Sequence, residues 1–211
     1  MQEAEANAAH KKRKRRKDDR PGEIIAAGLV EFGENGFAAT RLDDVARRAD
    51  IAKGTIYRYF DSKQALFEAA VRSRLTIALD SAAGMIAAWP GPTPDLIRML
   101  LRFIYARMQE PQTGTILRIV IGEGARFPAI TEFYHREMIA KGRALLRAIL
   151  ERGVARGEFR QAAAIDAPIV LIAPVLAAMV WQMNFERHEA LSLDAFFEAH
   201  VDTVLNGLMK R

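Results

Sequence analysis

No cysteine occurs anywhere in the 211 residues. That excludes disulfides, thiolate nucleophiles and cysteine-held metals, and it fits a reducing compartment. No apolar run reaches the roughly 20 residues a membrane span requires. The longest, 167–181, is interrupted by Pro168 and Pro174. The first nineteen residues are polar throughout, so no signal-peptide core is expected, and a cytoplasmic protein follows. The four histidines, His10, His135, His188 and His200, show no metal spacing with one another or with carboxylates. A P-loop, a nucleophile elbow and a complete glycine-rich dinucleotide fingerprint are all missing, so no catalysis, metal or cofactor is expected. No alternating pattern argues for a β-strand.

What is present is helical periodicity and unevenly placed charge. Half the residues are hydrophobic, as in an ordinary globular protein. The net charge is +5, and residues 1–20 alone carry eight Lys or Arg against four Asp or Glu. The run KKRKRRK, 11–17, repels itself, which predicts a disordered basic tail over 1–17, either passively solvated or reaching DNA phosphates.

The stretch TRLDDVARRADIAKGTIYRYF, 40–60, reads as two helices joined by a tight turn. Leu42, Val45, Ala46 and Ala49 recur at i, i+3, i+4 and i+7, a buried stripe. The second helix, 52–59, turns Ile56 inward with Phe60. Its outward residues are Lys53, Thr55, Tyr57, Arg58 and Tyr59, a cationic, hydroxyl-bearing face of about two turns that suits a DNA major groove. The pattern alone also fits a solvated surface hairpin.

Residues 21–72 resemble the amino-terminal DNA-binding domain of the TetR family of bacterial transcription regulators. The likeness is carried by 24–32, Asn35-Gly36-Phe37, Thr40 with Val45-Ala46, the run Lys53 to Phe60, and Lys63 with Leu66-Phe67. Two positions depart from the family's commonest pattern. Asp50 stands where the turn usually has Gly, and Ala52 stands where a capping Ser opens the recognition helix. The resemblance implies DNA contacts from Thr40, Arg41, Lys53, Gly54, Thr55, Tyr57, Arg58, Tyr59 and Lys63. It further implies a homodimer paired through its last two helices on a near-palindromic double-stranded operator.

Further helices are predicted at 21–35, 62–89, 94–109, 113–126, 128–152, 165–187 and 193–209, with WPGPTP, 89–94, as the first strong break. Pro174 predicts a kink. The fold class is therefore all-α with about nine helices. It divides into the tail, a helix-turn-helix domain over 18–78, and a ligand-binding and dimerisation domain over 79–211, with the long helix 62–89 connecting the two. The stripe Phe197, Val201, Leu205 and Leu208 is the expected dimer surface.

Residues 117–138 resemble the AefR-like branch of the family. In TetR-like regulators the helices after the fourth enclose a small-molecule cavity. Its candidate walls here are Phe103, Arg107, Ile121, Glu123, Phe133, Tyr134, Met138, Met179, Trp181 and Gln182. The effector would be an inducer or co-repressor of unknown identity. The contrasting expectation is a ligand-blind architectural or partner-binding protein with a tightly filled carboxy-terminal domain. Aromatics and Met at helical spacing are also what an ordinary core uses.

Overall fold

The computed structural model describes residues 2–161 and 163–210, the backbone alone for 2–18 and 163. The first helix, α1 (Gln2–Ala39), is broken at Gly36, where φ is 74°. Its inward residues Ile24, Leu29 and Phe32 are buried. Helical backbone back to Gln2 corrects two expectations. Residues 2–17 are not irregular, and Pro21 lies inside the helix instead of opening it. The Ala, Glu, Lys and Arg that fill 2–17 are strong helix formers, and this propensity outweighs the mutual repulsion of the cations. The side chains of that run fall outside the described residues.

Three short helices complete the amino-terminal unit: α2 (Leu42–Arg48), α3 (Lys53–Ile56) and α4 (Lys63–Val71). The rings of Phe32, Phe37 and Phe67 meet at centroid distances of 5.6 to 6.0 Å and bind α1 to α4. Gly28 permits that approach, because a Cβ there would stand 2.7 Å from Leu66. Ser62 caps α4 by accepting from the Ala65 amide.

A π-turn (Arg72–Thr76) carries α4 without a break into α5 (Ile77–Ala88), so one rod runs from 63 to 88 and serves both halves of the molecule. Then follow α6 (Thr93–Met108), α7 (Pro111–Glu123) and α8 (Pro128–Tyr134). A second π-turn (His135–Ile139) joins α8 to α9 (Ala140–Ala155). The chain ends with α10 (Ala173–Asn184) and α11 (Leu193–Leu208). Counting each π-joined rod once, the described residues form nine helices and no strand, only an isolated bridge between Phe159 and Met209. No helix among them is long and apolar enough to cross a membrane.

Proline sets most of the later boundaries: α6, α7, α8 and α10 each have Pro in their first two positions. There its fixed φ fits and its missing N–H is not needed. This corrects the eighth helix. Residues 163–171 form two 3-10 turns, and Pro174 starts α10 instead of kinking a longer helix.

Candidate nucleic-acid interface and internal cavity

The turn between α2 and α3 depends on Asp50, whose φ of 50° is the left-handed backbone the local sequence called for. Ala52 is the N-cap of α3 and supplies no side-chain hydrogen bond. Without a cap, and with Gly54 and two β-branched residues, α3 is regular for only four residues. Hydrogen-bonded turns then carry the chain on, with the Arg58 amide donating to the Thr55 carbonyl and the Phe60 amide to the Ile56 carbonyl. Ile56 and Phe60 are buried as expected. Arg41, Lys53, Gly54, Tyr57 and Arg58 are exposed, and Thr55 and Tyr59 half-buried. The α3 face is thus assembled on the surface. Two of its groups are tethered: the Lys53 ammonium lies 2.7 Å from the Asp43 carboxylate, and the Tyr57 hydroxyl 3.3 Å from it. The Lys53 bond lowers the Asp43 pKa, and Asp43 raises that of Lys53. Such an exposed pair is weakly held.

Thr40 and Lys63 are placed differently from expectation. Thr40 is buried, and its hydroxyl donates to the Gly36 and Glu31 carbonyls, so it braces the end of α1 and offers nothing to a ligand outside. The Lys63 ammonium donates to the carbonyls of Phe37, Ala38 and Thr40. Desolvation lowers its pKa, with Arg126 adding to the effect and Glu123 opposing it.

Glu123 is the residue that sequence reasoning most misplaced. It lines no cavity. Its carboxylate accepts from the Phe37 amide at 2.6 Å and the Ala38 amide at 2.8 Å. The last residue of α7 therefore holds the turn that leads into the helix-turn-helix. Gly36 makes room: a Cβ there would meet Glu123 Oε1 at 2.8 Å, on a backbone that favours glycine. Phe127 packs edge-on against Phe37 beside this clamp.

A cavity of about 210 Å³ lies between α5, α6, α7, the second π-turn, α9 and α10. Phe103, Arg107, Tyr134, Met138 and Met179 line it as expected. Five other candidates do not. Ile121 points to solvent from α7, and Glu123 is in the clamp. Phe133 is buried under the guanidinium groups of Arg72 and Arg136. Trp181 donates to the Glu189 carbonyl and packs on Phe185, and Gln182 is likewise outside the wall. Helical spacing gives a face but not the neighbour it meets, and these five sit on other faces. Sequence reading missed Leu75, Leu79, Thr113 and Arg143. Leu75 lies on the predicted helix 62–89, whose inward face meets the cavity only once the later helices pack against it. Thr113 carried no signal of its own. Burial raises the Tyr134 phenol to about 12, so it stays protonated.

A second, open groove of about 530 Å³ runs between α10 and α11, lined by Val170, Pro174, Phe196, Ala199, Thr203 and Val204 among others. Phe197, Val201 and Leu208, expected on a dimer surface, are instead buried in the protomer's own core. His200 is buried there too, its Nδ1 3.1 Å from the Tyr105 hydroxyl.

Residues 24–70 match the family described as bacterial regulatory proteins, tetR family, and residues 93–204 match the tetracyclin repressor-like C-terminal domain. The second match alone spans more than half of the chain. An uncharacterized HTH-type transcriptional regulator of Mycobacterium tuberculosis is 30% identical over 148 residues, 70% of this chain and 69% of that protein. IcaR of Staphylococcus aureus, a negative transcriptional regulator of the biofilm operon icaADBC, is 39% identical over 49 residues, 23% of this chain and 26% of that one. The fold also matches a transcriptional regulator of Saccharomonospora viridis solved in complex with choline, covering 92% of this chain and all of that one, with a TM-score of 0.77 at 16% identity. With a helix-turn-helix whose outer face is cationic and exposed, and with both halves matched, this chain belongs to the TetR family of bacterial regulatory proteins and is a DNA-binding transcriptional regulator.

Proposed function

We propose that the protein is an effector-responsive repressor that binds a near-palindromic operator as a homodimer. The single observation that carries the responsive part is the path of α7. Thr113 and Leu117 near its start line the cavity, and Glu123 at its end clamps the turn before α2. Ten residues separate Thr113 from Glu123, so the two sites stand about 15 Å apart along one rigid element. A ligand that alters the seat of α7 moves the clamp, and the continuous rod 63–88 is the second connection. The ligand must bind the two arrangements unequally to shift DNA affinity. An open cavity is also what a ligand-blind, tightly filled domain would lack.

Base contacts are assigned to Lys53, Thr55, Tyr57 and Tyr59, with Tyr57 meeting a thymine methyl. Arg41, Arg58 and the Gly54 backbone are assigned to phosphates; nothing lies within 4 Å of the Gly54 Cβ position, so a backbone can approach closely. The dimer surface is the α10–α11 groove, and a second copy of the chain covers it as a four-helix bundle. The division at residue 78 falls inside the second half of the rod, so the two functional units share a helix instead of a linker. The AefR-like likeness over 117–138 and a cytoplasmic location belong to this reading. Selection of bound sequences from a random DNA pool, followed by footprinting, tests it. Two symmetric half-sites are expected; enrichment of no sequence would overturn it.

A further inference from the structure

Five buried side-chain polar atoms lack a partner among the described residues, and two of them belong to residues that line one corner of the cavity: Arg107 Nε and Thr113 Oγ1. The corner is tied together by backbone. Arg107 donates from one terminal nitrogen to the Arg74 carbonyl and from the other to the Glu110 carboxylate, both at 2.7 Å. The Thr113 amide donates to the Glu110 carbonyl at 3.0 Å. The first π-turn, the end of α6 and the start of α7 therefore meet around these atoms. Thr113 is only 4% exposed. Buried donors left unmade are costly and rare in a native fold, so they point to a missing acceptor.

The rest of the cavity shows what carries that acceptor. Its walls are almost wholly aliphatic, and Phe103 and Tyr134 are its only aromatics among the described residues. Among the described residues no Asp or Glu lines it, while two arginines do, Arg107 being ion-paired with Glu110 outside the wall and keeping its Nε unpartnered. Arg143 is exposed and makes no ion pair among the described residues. A quaternary ammonium ligand would find no carboxylate on the wall, because the nearby Glu110 carboxylate is held by Arg107. A neutral hydrocarbon would leave the donors unmade.

We infer that the effector is an amphiphilic monoanion, an alkyl chain ending in a carboxylate, with its head held by Arg107 and Thr113 and its chain along the aliphatic walls. The inference rests on the effector-responsive reading above and names the ligand class of that same cavity. One carboxylate has two oxygens able to accept several N–H or O–H donors, which matches this donor set. The protonated Tyr134 phenol is a further neutral donor on the wall.

The test is calorimetric titration of the full-length protein with decanoate, decan-1-ol and decyltrimethylammonium below their micelle concentrations. Decanoate is expected to bind at least about tenfold more tightly than the alcohol, the size of a hydrogen-bonded charge, and the ammonium not at all. Arg107→Gln should remove that preference while leaving alcohol affinity within about twofold, and Arg107→Lys should restore part of it. If Arg107→Gln does not fold, Thr113→Val decides, since it deletes one donor without changing volume. The inference is overturned if the alcohol or the ammonium binds as tightly as decanoate, if none of the three binds, or if both variants keep the preference. Operator selection is a separate readout, so a protein that selects DNA but fails this titration loses only the ligand assignment.

Discussion

Asp50 holds a left-handed backbone that costs an ordinary L-residue about 1 kcal/mol, and the tight turn between α2 and α3 requires it. At this scale the molecule uses small groups to set larger ones. Glu123 gives the clearest case: one carboxylate organises two amides from a segment 85 residues away. Replacing it with Gln keeps the shape and removes the charge. Stability should fall by about 1 kcal/mol in chemical denaturation, and effector-driven release from DNA should weaken. Unchanged release by Glu123→Gln would restrict the clamp to a structural role. Tyr57 works outward instead. Tyr57→Ala should narrow the gap between operator and scrambled DNA, leaving the salt dependence nearly intact. Equal weakening on both DNAs would show that the reading face lies elsewhere.

Among elements, α3 is the least self-sufficient, with four helical residues and no cap. Ala52→Ser should add up to about 1 kcal/mol of stability without altering the preferred sequence. Absence of any gain would mean that packing of Ile56 and Phe60 already holds the helix start in place. α11 carries the opposite lesson. Its stripe of large residues faces inward, while Phe196, Ala199 and Thr203 open on the groove. Ala199→Glu should give folded monomers in sedimentation, whereas Val201→Glu should unfold the protomer by burying a charge. A dimeric Ala199→Glu variant would move the interface off this groove.

At the scale of the whole molecule, charge and connectivity dominate. Residues 1–20 carry +4 of the total +5, concentrated on one end of the chain. Deleting 1–17 should make the slope of log affinity against log salt shallower by about 0.9 per lost phosphate contact, while the preferred sequence stays the same. An unaltered slope would identify the segment as solvated in the complex. The rod 63–88 and α7 join the two halves without a flexible linker, so strain introduced at the cavity has few ways to relax except through the helix-turn-helix.

Much of this was legible in the residues themselves. Helix count and type, the break over 89–94, the buried stripe of α2 and the exposed face of α3 follow from local rules: periodicity, capping and the geometry of Pro and Gly act between residues a few positions apart. The left-handed Asp50 and the uncapped Ala52 were foreseen for the same reason. Neighbours were not. Periodicity says that a residue faces inward, never which helix it meets. Sequence alone therefore puts Glu123 on a cavity wall although it reaches the turn before α2, and puts Thr40 and Lys63 at DNA although they hold backbone carbonyls. Phe197, Val201 and Leu208 were assigned to a partner when they serve their own core. The cavity, its unmet donors and the α7 clamp exist only once segments far apart in sequence are packed together, because each is a property of the space between helices and of no single one.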